Sequence, residues 1–276
     1  MKRTSSILAA AAVSVVIAAA GGTAALSAES ADWNILPAPE GHPLPEIISG
    51  YDFRSPETKA LQDDDFENPG MLWMEQGAQL WETADGPLNL SCASCHQDAE
   101  SAMRGVGAVF PKWNERLGKP LNLEQQINHC RENAMQAKSW KWESEELLSM
   151  TTFVRYQSRG MPVNVQIDGP MAPYFEKGEE LYNTRFGQLD MACTNCHSRY
   201  GQNIRSDHLS QGQSNGFPTY RLKWQKLGSL HRRMSGCMGQ VRATPFKRGS
   251  DEFVALEIYL GYRGTGLPVE APSVRH

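Results

Sequence analysis

Residues 74–96 read MEQGAQLWETADGPLNLSCASCH, and residues 175–197 read FEKGEELYNTRFGQLDMACTNCH. The two stretches align without a gap: Gly77 falls on Gly178, Leu80 on Leu181, Thr83 on Thr184, Gly86 on Gly187 and Leu88 on Leu189. Each ends in C-x-x-C-H. That motif attaches c-type haem, because two thiols add across the haem vinyl groups and the adjoining histidine reaches iron from the proximal side. C-x-x-C alone also serves redox and zinc sites. Two complete copies point instead to two covalent haem c groups. Cys92 and Cys95 would hold the first and Cys193 and Cys196 the second, with His96 and His197 as axial ligands.

The duplication runs further. Phe110-Pro111 echoes Phe217-Pro218, Leu117-Gly118 echoes Leu227-Gly228, and residues 144–163 align on residues 250–269. A two-copy repeat of this length means two similar domains and not a solenoid. Each unit reads as helix, haem motif, irregular middle, helix. The first helices are expected near 69–82 and 172–183. Gly77 with Trp81, and Gly178 with Tyr182, lie on one face of those helices, where glycine permits a close crossing. The closing helices, near 144–158 and 250–262, begin with serine and acidic residues, which are N-terminal capping and dipole signals.

A first and last helix paired around a covalent haem resembles the class I cytochrome c fold, here present twice in a mainly α chain. The expected organisation is a leader over 1–28, an extended N-terminal arm over 29–70, a first domain over 71–165 and a second over 166–276. The Pro-rich, acidic arm is expected to lie over the first domain, and residues 160–173, with three prolines, form the natural linker.

Lys2 and Arg3 precede an apolar run from Ile7 to Ala20, followed by small residues, with Leu26-Ser27-Ala28 the preferred cleavage site. This is a secretory signal peptide. The alternative, an uncleaved anchor, suits the weakly hydrophobic Ala/Gly run less well. Cleavage takes the formal charge from −4 to −6. A mildly acidic protein in the periplasm is no general nucleic-acid binder, so any anion it recognises must meet a local basic patch. No other segment approaches membrane-span length.

Two cysteines remain, Cys130 and Cys237, one per unit. They stand fifteen residues before Glu145 and fourteen before Asp251. Met135, Met234, Met238, His129 and His231 are out of step between the copies. His/Cys ligation, with Cys130 and Cys237 on the far side of each iron, is therefore the assignment the repeat favours. A disulfide between the two cysteines, or a methionine or histidine ligand, are the alternatives. Charge distinguishes the halves. Residues 221–248 carry eight Lys/Arg and no carboxylate, whereas residues 112–138 carry five against three. A solvated basic face or propionate partners would use some of these cations; an anionic substrate or acidic partner would use the rest.

Two C-x-x-C-H units, an extra cysteine in each, and Arg233-Met-Ser-Gly-Cys237 together resemble the dihaem branch of the SoxA cytochromes, over essentially the whole mature chain. The resemblance implies an exported catalytic subunit, of the L-cysteine S-thiosulfotransferase type, that joins thiosulfate oxidatively to a cysteine of the SoxYZ carrier. Electrons would pass through haem to SoxX, a monohaem cytochrome. It further implies that Cys237 is the reactive residue, typically a persulfide, with Arg233 as its cationic partner and Cys130 as a ligand of the first haem. Arg242 and Lys247 are weaker candidates for binding the dianion. Two other readings are a thiosulfate dehydrogenase forming tetrathionate and a non-enzymatic dihaem electron carrier.

Overall fold

A computed structural model describes residues 34–204 and 207–276; the leader and the first residues of the arm lie outside the described residues. In each half, an early and a late helix cross. The first pair is α2 (Met71–Glu82) and α6 (Glu145–Tyr156), and the second is α7 (Ala172–Asn183) and α10 (Asp251–Arg263). Glycine makes both crossings possible. A Cβ on Gly77 would stand 2.3 Å from the Ser149 carbonyl oxygen, and one on Gly178 would stand 2.1 Å from that of Ala255. The closing helices start where the sequence places them. Ser144 and Ser250 accept from the amides of Leu147 and Phe253, satisfying donors that a helix start leaves open.

Between these helices the halves repeat each other closely. A turn with Gly86 or Gly187 at positive φ leads into the one-and-a-half-turn haem helices α3 (Cys92–His96) and α8 (Cys193–His197). Two-stranded hairpins follow, β3–β4 (Lys112–Asn114, Lys119–Leu121) and β7–β8 (Thr219–Arg221, Lys226–Gly228), the second preceded by the short pair β5–β6 (Asn203–Ile204, Asp207–His208). The hairpin register corrects one sequence echo. The turn residues Gly118 and Gln225, both at positive φ, are equivalent, so Gly118 does not pair with Gly228.

The expected irregular middle is also corrected, because each half contains a further helix there. These are α5 (Leu123–Asn133), capped by Asn122, and α9 (Leu230–Gln240), capped by Ser229. Gly236 and Gly239 dilute helix propensity in the second of these, so periodicity alone does not reveal it. A short helix, α4 (Ala99–Ala102), follows the first haem motif.

The arm departs from expectation. Its hairpin β1–β2 (Ile35–Pro37, Glu46–Ile48) and helix α1 (Pro56–Asp63) dock on the second half, not across the first. Gln62 accepts from the Val274 amide of β9 (Ser273–Arg275), Asn68 donates to the Pro272 carbonyl at 2.9 Å, and Ile48 donates to Gln211. Asp65 instead pairs with Arg159 and accepts from the Tyr156 hydroxyl at 3.2 Å, at the end of the first half. Nor is 160–173 a free tether. Val163, Val165 and Met171 are buried with Val254, Ile258 and Val269, so burial of these side chains builds the segment into one core shared by the halves. Among the described residues no helix is long and apolar enough to cross a membrane.

Candidate functional site

Helix α9 and helix α8 face each other across a cavity of about 300 Å³. Cys193, Cys196 and His197 line one side and Cys237 lines another. Cys237 lies eight residues after the cap Ser229, as Cys130 lies eight after Asn122, so counting from the helix start makes the two cysteines equivalent without remainder. All six cysteines are unpaired. Burial pushes the Cys193 thiol up to about 12, and the nearby Cys237 sulfur opposes its ionisation further. Cys92 is pushed up to about 11 by burial, with Cys130 near enough to act on it in the same sense. Each spare cysteine thus faces the motif of its own half, which disposes of a Cys130–Cys237 disulfide.

His197 is oriented from behind. Its Nδ1 lies 2.8 Å from the Ser210 carbonyl oxygen, which fixes the proton on Nδ1 and leaves the Nε2 lone pair available. Desolvation lowers its pKa to about 4, with Arg233 and Arg263 acting in the same direction, so the ring is neutral at neutral pH. Ser210 is held in turn by its neighbour Gln211. That side chain is fully buried, accepts from the Ile48 amide at 2.9 Å and donates to the Glu46 carbonyl at 3.0 Å. The arm is therefore the outer support of His197. Replacing Gln211 with alanine strands two backbone groups and is expected to cost about 2–4 kcal/mol of stability. A thermal melt coincident with wild type would refute this bracing role.

Arg233 stands one helical turn before Cys237, on the same face, and both line the cavity. No described residue pairs with its guanidinium. Arg54, Arg221 and Arg275 also line the cavity, and no carboxylate is among the lining residues; Arg275 is ion-paired with Glu270 at 2.6 Å, and Arg221 donates to the His276 carbonyl at 2.7 Å. Two of these extra arginines come from the arm and from β9, remote in sequence, where no local signal could nominate them. Arg221 was visible only as part of the basic stretch. Arg242 and Lys247 are exposed and line no part of the cavity; Arg242 reaches Gln188 at 3.4 Å. The eight cations are also less uncompensated than the local count implied. Glu143, from the first half, lies 3.9 Å from both Arg232 and Arg248.

The first motif is more open. Cys95 and His96 are exposed, and Trp81 packs beside the His96 ring with centroids 5.8 Å apart. Gln126 donates to the Cys130 sulfur at 3.2 Å. In the repeat register Gln126 is the counterpart of Arg233, so the residue one turn before the cysteine is a neutral donor in one half and a cation in the other.

The second cavity suits a covalent haem. Two thiols and a histidine nitrogen occupy one wall, a sulfur another, and Phe217, Leu230, Leu256 and Leu260 supply apolar surface. A family model described as the SoxA/TsdA cytochrome c domain matches residues 76–163 and 177–269. The chain belongs to the SoxA family.

Among relatives, the L-cysteine S-thiosulfotransferase subunit SoxA of Pseudaminobacter salicylatoxidans is 49% identical over 240 residues, covering 86% of this chain and 84% of that protein. The subunit of the same name from Rhodovulum sulfidophilum is 48% identical over 232 residues, 84% of this chain and 81% of the other. The crystal structure of SoxXA from P. pantotrophus superposes with a TM-score of 0.82 at 48% identity, covering 84% of this chain and 88% of that one. The SoxA chain is thus mainly α, with two tandem cytochrome c domains, and cytochrome c domains imply haem c.

Proposed function

We propose that this SoxA chain carries two haem c groups in the periplasm. There it oxidatively conjugates thiosulfate to a cysteine of a SoxYZ-type carrier, and its electrons leave to a SoxX-type cytochrome. The observation that carries the reading is the second cavity, where Cys237 and Arg233, whose guanidinium pairs with no described residue, share a helix face in a wall that presents no carboxylate. Such a wall favours a small dianion over a neutral or cationic ligand. The names of the relatives and the SoxXA complex in the crystal supply the substrate class and the partner.

In the overall step a carrier thiol and thiosulfate form one S–S bond. The thiol loses its proton to solvent, and two electrons depart: RSH + S₂O₃²⁻ → RS–S–SO₃⁻ + H⁺ + 2e⁻. Haem, when bound, supplies one-electron acceptance beside the reacting sulfur. Arg233 offers two parallel donors to the sulfonate oxygens, which orients the terminal sulfur. Cys237 serves as iron ligand and as sulfur acceptor or nucleophile. Cys193, Cys196 and His197 Nε2 hold the haem; Cys92, Cys95, His96 and Cys130 do the same in the first half, without a cation at the position of Arg233.

The test is a product assay on the haem-loaded protein with its SoxX partner. The expected product is thiosulfate bound to carrier cysteine, formed only when carrier is present. Tetrathionate released at full rate without carrier would replace this reading with the dehydrogenase, and electron transfer with no sulfur product would leave only a carrier cytochrome.

A further inference from the structure

Where the two halves meet, a polar cluster is sealed into the interior. Glu124 of α5, Arg155 and Thr151 of α6, His231 of α9 and Glu257 of α10 converge there. Around a hollow of about 10 Å³ lie Glu124, Thr151, Arg155 and Glu257, leaving room for one water at most. The repeat register makes Glu124 the counterpart of His231, and Thr151 that of Glu257, so the cluster lies on the pseudo-symmetry of the duplication. It also lies between the two haem sites. Leu123 packs in the core that includes Cys92, and its counterpart Leu230 packs in the core that includes Cys193. Both leucines line the hollow as well.

The hydrogen bonds define which member can take a proton. Gly249 donates its amide to His231 Nδ1 at 3.0 Å, so that nitrogen is an acceptor and the ring carries its proton on Nε2. Nε2 lies 3.0 Å from Glu257 Oε2 but out of line for a hydrogen bond, while Asn122 donates to the same oxygen at 3.0 Å. Trp142 stacks on the ring at 5.0 Å and holds it there. Protonating Nδ1 would set two N–H groups against each other. A further proton therefore goes to a carboxylate, and two carboxylates share the site.

The charged groups facing this pair, element by element, are Arg155 from α6, His231 and Arg232 from α9, and Glu143 and Arg248 from the connecting segments. At the rim Glu143 stands between two arginines, which leaves one positive charge there. Inside remain two glutamates against one arginine, whose Nε has no hydrogen-bond partner. Within the hollow one negative charge is in excess, and the rim's one excess positive charge faces it from outside. Two like charges in one dry site do not both persist.

We propose that the Glu124–Glu257 pair, with Arg155 and His231, is a redox-linked proton site shared by the two haem domains. When an electron reaches a haem, the added negative charge favours uptake of one proton from solvent onto the carboxylate pair. The electron reduces iron and the only new bond is O–H. The inference rests on the proposal that both haems are attached, but not on the identity of the substrate. In support, burial and Glu257 push Glu124 up to about 7, within the range where such a change matters.

The experiment is a potentiometric titration of the haem-loaded protein with chemical mediators between pH 5.5 and 8.5, for wild type, Glu124→Gln and Glu257→Gln. Haem content is checked by intact mass first, so that a lost haem is not mistaken for a lost proton site. A haem wave of the wild type is expected to fall with rising pH, by up to tenfold in the reduction equilibrium per pH unit, or 59 mV for one electron. The fall is expected to flatten in both variants. A wild-type wave without slope, or a slope that survives in both variants and so belongs to haem propionates, would overturn the proposal.

If a variant does not fold, redox-difference infrared spectroscopy on wild type decides. A protonated carboxyl C=O band that grows on reduction and shifts in D₂O supports the site, and its absence refutes it. The pH dependence of stability gives a separate reading. With the native pKa above the ordinary 4.5, the folded form retains a proton the unfolded chain has shed. Stability thus falls as pH rises from about 4.5 through about 7, and Glu124→Gln is expected to remove that fall.

Discussion

Replacing Cys237 with alanine is expected to lower thiosulfate-dependent transfer by at least about a thousandfold while both haems stay attached. The size of the effect follows from what the residue does in the site. Its sulfur lines the cavity with Cys193, Cys196 and His197, and shares a helix face with Arg233. On the proposed reaction, alanine would remove the nucleophile and one iron ligand but leave Cys193 and Cys196 to anchor the haem. Met234 and Met238 also line the cavity, so a thioether can take the vacated position. The variant would then show a methionine–iron charge-transfer band and an elevated reduction potential, as thiolate loss implies. Cys130→Ala serves as the matched comparison and should retain most of the transfer activity. Wild-type turnover in the Cys237 variant would remove this residue from the reaction.

The second large effect is on stability. Gly178→Ala is expected to cost about 3 kcal/mol, because α7 and α10 must part to admit the methyl. A Cβ there would meet Ala255 oxygen at 2.1 Å, Ala255 carbon at 2.8 Å and Tyr259 Cβ at 3.0 Å. Two of those atoms are backbone, which cannot swing aside as a side-chain tip can. For a chain of this size the loss corresponds to roughly 6–12 °C in Tm. A melting temperature within a degree of wild type would show that the helices cross less tightly in solution. Tyr259 packs at this crossing on Tyr182, which lines the cavity, so the same variant should perturb the second haem's absorption before global unfolding.

The helices at either end of each half were legible because glycine, aromatic and capping serine recur at fixed offsets, and each has a single physical use. The haem motifs were legible for the same reason. The pairing of Cys130 with Cys237 was readable from the repeat, although the fifteen-against-fourteen spacing blurred it. Counting from the caps Asn122 and Ser229 removes the mismatch, but that requires knowing that a helix starts there. What stayed hidden depended on distant segments. Nothing near Arg54 or Arg275 announces that the two would meet at one cavity, nor that Glu143 would answer Arg232 and Arg248. Arg242 and Lys247 drew attention because they are near Cys237 along the chain. Their neighbours Val241 and Phe246 do line the cavity, but Arg242 and Lys247 themselves are exposed and do not.

The equivalence of Gln126 and Arg233 has a practical meaning. Both halves place a cysteine in the third turn of a capped helix, opposite a C-x-x-C-H motif, and they differ at the residue one turn before it. The two sites differ by a guanidinium at this position and also in exposure, since Cys95 and His96 are exposed and Arg131 follows Cys130 directly. Labelling rates at Cys130 and Cys237, read in one molecule, compare the two settings as wholes.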